Sequence, residues 1–137
     1  MGNPEERDKS KENFEILFVD DERDVLSIVE QYLSMQGYLV TVADSGIKAL
    51  ELVRERNFDV VFTDLNMPDI TGIDLTREIR KKYSKEKLPI VMVTTQDESR
   101  DFEAAKAEGI NDILRKPFTE SQVGEMLKKI TGYKIAS

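Results

Sequence analysis

The feature that most constrains the fold is a regular alternation between two hydrophobic periods. Short β-rich runs, EILFVD (15–20), LVTVA (39–43), DVVFTD (59–64), PIVMVT (89–94) and NDILRK (111–116), are separated by segments with helical spacing. Val25, Leu26, Ile28, Val29, Tyr32 and Leu33 form one stripe, and Ile47, Leu50, Leu52 and Val53 a second. Ile73, Leu75 and Ile79, then Phe102, Ala105 and Ala107, are weaker; Val123, Met126, Leu127 and Ile130 close the series. Glycines stand where two helices should stop, Gly37 in SMQGY and Gly109 in AEGIN. Five strands alternating with five helices predict an α/β fold, a doubly wound parallel sheet with helices on both faces. The strands are nearly continuous in apolar character, which suits burial on both sides.

With 137 residues, the chain can bury one core without disulfides or metals. One domain is expected over 14–132, between a flexible polar tail (1–13) and a short C-terminal tail (133–137). The absence of cysteine excludes disulfides and thiolate zinc sites. The absence of histidine excludes Ser-His and Cys-His catalysis, imidazole metal sites and phosphohistidine on the chain itself. A net charge of −7 argues against general nucleic-acid binding. No apolar run approaches the length of a membrane span, and the first residues lack the apolar core of a secretory signal, so a cytoplasmic location is expected.

Ligands of open parallel sheets bind at the carboxyl ends of the strands. The first strand ends in Asp20-Asp21, the third in Asp64, the fourth in Thr94-Thr95 and the fifth in Lys116. Individually these have ordinary explanations. Asp20 or Asp21 can cap the following helix, Asp64 can open an Asx-type turn, Lys116 can be a solvated amine and Pro117 a strand terminator. Together they describe a chemistry. Three adjacent carboxylates repel unless a cation lies among them or one is protonated. With oxygen ligands only, Mg²⁺ is the fitting cation. Asp64 then offers a nucleophilic oxygen, as carboxylates do in forming aspartyl phosphates. Phosphoryl transfer requires neutralised equatorial oxygens, for which Lys116 and the Thr94 hydroxyl are placed.

The segments FVDDE, VVFTDLNMPDITGIDL, PIVMVTTQDE and ILRKPFT resemble the signature segments of the receiver domain of two-component response regulators. The resemblance runs from about Phe14 to Ile130. It implies a flavodoxin-like sheet of order 2-1-3-4-5. It implies that Asp64 is the phosphoacceptor, taking its phosphoryl group from a histidine kinase or histidine phosphotransfer protein. Asp20 and Asp21 match the Mg²⁺-binding acidic pair, Asn66 the residue whose backbone carbonyl joins them, and Thr94 and Lys116 the pair that binds the phosphoryl oxygens. Lys116-Pro117 matches a cis bond that turns the lysine inward, and Gly72 the glycine after the Met-Pro turn. Such a domain catalyses its own phosphorylation and dephosphorylation rather than acting as a conventional enzyme.

Two positions depart from the family pattern. Ile113 stands where Tyr or Phe usually reports phosphorylation, which leaves the loop after the fourth strand as a route for the signal. Thr95 stands where a small residue is usual, and its bulk is expected to slow access of water or small phosphodonors. Asn66 and Gln96 flank the path of an attacking water, where amides can orient it but cannot take its proton, so both are expected to tune the lifetime of the phosphorylated state.

Output is expected through phosphorylation-dependent protein binding on the face from the fourth helix to the fifth strand, in a stand-alone regulator of chemotaxis or phosphorelay type. The segment QDESRDFEAAKAEG has five acidic against two basic residues, and REIRKKYSKEK six basic against two acidic. Such asymmetry marks solvated faces or steers a partner. The alternatives are a hydrolase with Asp64 as nucleophile, which would want a carboxylate where Asn66 stands, and a pseudo-receiver that binds partners without phosphorylation. A P-loop nucleotidase is excluded by the missing glycine-lysine motif.

Overall fold

The computed structural model describes residues 13–95 and 98–136. Its elements follow the expected alternation: β1 (Glu15–Val19), α1 (Arg23–Met35), β2 (Leu39–Ala43), α2 (Gly46–Glu55), β3 (Val60–Asp64), α3 (Gly72–Arg80), β4 (Ile90–Thr94), α4 (Glu98–Ala107), β5 (Asp112–Arg115) and α5 (Glu120–Ala136). The sheet is parallel throughout, in the order β2-β1-β3-β4-β5. The expected N-terminal tail, apart from Asn13, and Gln96 lie outside the described residues.

Strand side chains alternate between two cores. Ile16, Phe18, Val60, Phe62, Val91, Val93 and Leu114 pack with Leu26, Val29 and Leu33 of α1 and Val123, Leu127 and Ile130 of α5. Leu17, Val19, Val61, Ile90 and Met92 pack with Ala49 and Val53 of α2, Leu75 and Ile79 of α3 and Ala105 of α4. This double burial explains the uninterrupted apolar runs of β3 and β4, buried at every position. Phe18 and Phe62 stack on neighbouring strands with centroids 5.4 Å apart.

The helix ends follow from local chemistry. Gly37 and Gly109 have φ of 96° and 106°, the left-handed conformation that ends a helix and that glycine adopts without a Cβ clash. Thr71 and Asp74 form a reciprocal capping box that starts α3. Helical spacing overstated two stripes: Ile28 is 60% and Ile47 51% exposed. Each lies at the margin of its stripe, beyond the arc that the sheet covers. α5 also runs on through residues 133–136, expected as a tail, because Gly132 weakens a helix by only about 1 kcal/mol when no capping turn follows.

A knot at the amino edge of the sheet fixes the loops opposite the acidic edge. The Arg80 guanidinium donates to the carbonyls of Tyr83, Ser84, Leu88 and Gly109 and to Asn111 Oδ1. Asn111 in turn accepts the Ile90 amide and donates to the Lys85 carbonyl.

Candidate functional site

Parallel strands end together, so the register of the sheet decides which side chains meet. Val19 pairs with Thr63 and Asp64 with Val93. Asp20, the residue after β1, Asp64 at the end of β3 and Thr94 at the end of β4 therefore share one edge. Lys116, directly after β5, donates its amide to the Thr94 carbonyl at 2.9 Å. Its peptide bond to Pro117 is cis, as the family resemblance implies.

Asp20 is fully buried, Asp64 is 9% exposed and Asp21 faces solvent. Each offers a carboxylate oxygen, and these oxygens lie within 4.8 Å of one another. Lys116 Nζ stands among them, 2.7 Å from Asp20 Oδ2, 3.3 Å from Asp64 Oδ2 and 3.7 Å from Glu22 Oε1. The ordinary readings of both aspartates hold for part of each carboxylate. Asp20 Oδ1 accepts the Glu22 amide at 2.9 Å at the start of α1, and Asp64 accepts the amide of Asn66. Asp20 Oδ2 remains without a hydrogen bond of proper geometry, since Lys116 meets it as an ion pair only.

Electrostatics follow from this crowding. Burial pushes the Asp64 carboxyl above its ordinary range and Asp20 adds to it, against the pull of Lys116 and the Asn66 amide. Burial lowers Lys116, but its bonds and charge contacts with Asp20 and Asp64 outweigh this and raise it, so the amine is charged at neutral pH. The donor set suits a small hard cation: oxygens only, one of them buried and met only by the Lys116 ion pair, with an exposed side for retained waters.

Asp20, Asp21, Asp64, Thr94 and Lys116 stand at this edge, whereas Ile113 lies within β5, paired with Met92. Thr94 is 2% exposed, Thr95 and Asn66 are exposed, and Ile113 is half-buried against the core under α2, α3 and α4. β2 contributes backbone only, the Ala43 carbonyl accepting the Asp20 amide at 3.1 Å; Asp44 after it pairs with Arg23 at 3.6 Å. Three contributors were not singled out from the sequence. Glu22 flanks Lys116, the Thr63 hydroxyl donates to the Asp64 carbonyl at 3.0 Å, and Asp69 accepts the Gly46 and Ile47 amides at 3.2 and 2.7 Å. Glu22 and Asp69 stand inside the recognised segments, but no sequence spacing connects either to its partner.

The glycine after the Met-Pro turn has a steric role here. A Cβ on Gly72 would stand 2.3 Å from the Asp64 carbonyl oxygen and 2.9 Å from Met92 Sδ. α3 thus begins in contact with the end of β3, and the Gly72 amide donates to the Leu65 carbonyl at 2.8 Å.

Comparison with known proteins agrees with this architecture. Residues 16–128 match the family model of the response regulator receiver domain. Chemotaxis protein CheY-3 of Vibrio cholerae is 38% identical over 86% of this chain and 92% of its own. The structure of Vibrio cholerae CheY4 superposes with a TM-score of 0.81 at 31% identity, over 85% of this chain and 98% of that one. The receiver domain of a Pseudomonas aeruginosa sensor histidine kinase, described with a magnesium ion coordinated in its active-site cleft, gives 0.78 at 31% identity, over 87% and 98%. Among the described residues no helix is long and apolar enough to cross a membrane. The match extends over the whole alternating sheet and includes all four strand ends that carry polar chemistry, and on that ground the chain belongs to the response regulator receiver family, as a CheY-like receiver domain.

Proposed function

We propose that Asp64 accepts a phosphoryl group from a phosphohistidine on a histidine kinase or phosphotransfer protein. The phosphorus–nitrogen bond of the donor breaks as a phosphorus–oxygen bond to the Asp64 carboxylate forms. The electron pair stays on the departing imidazole, which takes up a proton. Asp20, Asp21, Asp64 and the Asn66 carbonyl would hold Mg²⁺, which neutralises charge on the phosphoryl oxygens when bound. Lys116 provides a second positive charge, and the Thr94 hydroxyl a hydrogen bond to a phosphoryl oxygen. The observation that carries this reading is the position of Lys116 Nζ, within 3.3 Å of both Asp20 and Asp64 at the carboxyl edge. Output would follow through phosphorylation-dependent binding of a protein target to the face formed by α4 and β5.

Intact-mass measurement after incubation with acetyl phosphate tests this, with and without Mg²⁺, beside Asp64→Ala. The expected result is one phosphoryl adduct, stable in acid and labile in base, that requires both Mg²⁺ and Asp64. An adduct that persists in Asp64→Ala, or its absence from the native chain with both acetyl phosphate and a phosphorylated histidine donor, would overturn the proposal.

A further inference from the structure

We propose that Asp69 is a positioning residue for the acidic cluster, docking the loop between β3 and α3 onto the N-terminus of α2 and so fixing the Asn66 backbone beside Asp64. This rests on the proposed function for its consequence, though not for its geometry. Residues 65–71 join Asp64 to Gly72 and include Asn66, whose amide holds the Asp64 carboxylate. The inner part of this loop is pinned by buried Met67 and by the bond from the Gly72 amide to the Leu65 carbonyl.

The outer part, Pro68–Ile70, is held from α2. Asp69 Oδ2 accepts the Ile47 amide at 2.7 Å and Oδ1 the Gly46 amide at 3.2 Å. Ile70 packs so closely that a Cβ on Gly46 would stand 2.4 Å from its Cγ1. The residue that α2 supplies for its own cap, Ser45, accepts only the Lys48 amide at 3.2 Å, and the first turn has no acidic residue. The loop completes the cap, and a carboxylate at that end also meets the positive pole of the helix. Asp69 is exposed, so water could satisfy the same two amides; what the carboxylate adds is a tether. Only Met67 and Pro68 separate Asp69 from Asn66, and Pro68 has a fixed φ, so the tether acts on a short and partly stiffened stretch of loop.

The test compares Asp69→Ala with Ser45→Ala, which weakens the same helix end by removing the bond from the Lys48 amide and leaves the Asp69 bonds in place. Hydrogen exchange of the Asn66 amide is read in the metal-free protein, and Mg²⁺ affinity by titration calorimetry. In Asp69→Ala the Asn66 amide is expected to exchange roughly tenfold faster, because the loop opens locally. Mg²⁺ affinity is expected to fall roughly tenfold, the scale set by groups that orient metal ligands. Ser45→Ala should leave both near native values at a comparable loss of stability, and Asp69→Asn, which keeps one acceptor, should fall between. Equal behaviour of Asp69→Ala and Ser45→Ala would reduce Asp69 to a helix cap and overturn the proposal. If the native protein binds no Mg²⁺, the function proposed above fails, and the exchange comparison alone decides whether Asp69 positions the loop.

Discussion

Replacing Asp64 by Asn is expected to make the metal-free protein more stable. Oxygens of Asp20, Asp21 and Asp64 lie within 4.8 Å of one another, so each full-charge pair repels by at least about 3.5 kcal/mol at an effective dielectric of about 20. Lys116 Nζ, 3.3 Å from Asp64 Oδ2, returns about 5 kcal/mol on the same scale. Asp21 is exposed and its share is screened, which leaves repulsion and attraction nearly balanced. The burial of Asp64, the largest cause of its raised pKa, then sets the sign. An isosteric amide removes the charge without a cavity, so Asp64→Asn should gain about 1 kcal/mol in urea unfolding with EDTA present. Bound as proposed above, Mg²⁺ would reverse or close that gap, because it would stabilise the folded native protein and lose a ligand in the variant.

The pH dependence has an unusual sign. A carboxyl whose folded pKa lies above its unfolded value binds more protons when folded, so its contribution to stability is complete below the unfolded pKa and is lost as pH rises through the folded one. The advantage of Asn over native should therefore shrink as pH falls through the raised Asp64 pKa. If Asp64→Asn proves less stable than native in EDTA at neutral pH, with an unchanged m value, Lys116 outweighs both burial and repulsion. The cluster would then be satisfied by Lys116 alone and would not favour a further cation.

Other expectations concern the scaffold and the lifetime of the phosphorylated state. Arg80→Leu should cost about 3 kcal/mol in urea unfolding, since several part-buried acceptors lose their donor. Burial lowers the Arg80 guanidinium to about 10, with Glu86 acting against it, so it remains charged and donating near neutral pH. Gly72→Ala should cost about 3 kcal/mol or more by forcing β3 and α3 apart, and adduct formation measured by mass should slow, because the added Cβ meets the Asp64 carbonyl oxygen at 2.3 Å. Gln96→Ala or Gln96→Lys should change the rate at which the phosphoryl adduct is lost in Mg²⁺; an unchanged rate removes the assigned role of that amide.

The alternation of periods was enough to read the α/β class and the parallel sheet, while the strand order followed from the family resemblance. The placement of polar residues at the ends of four strands was enough to read the edge that carries the candidate site. Both are local patterns: side chains two or three to four residues apart share a face whatever else the chain does. Ile28 and Ile47 show the limit, because spacing defines a stripe but not how much of it the sheet covers. The double duty of Asp20, one oxygen on the Glu22 amide and the other toward Lys116, could not be read either; in sequence the cap and the site were competing explanations.

The sequence by itself determined the α/β class, the parallel sheet, the acidic edge and the family. Tertiary structure alone decided the electrostatic balance and the long-range tethers: Lys116 lies 52 residues from Asp64, Asp69 22 from Ile47 and Arg80 31 from Asn111. Charges interact through distance and burial, and both are set when the strands pair and the helices close over them. A carboxylate's partners, and so its proton affinity and its work, are properties of the folded edge.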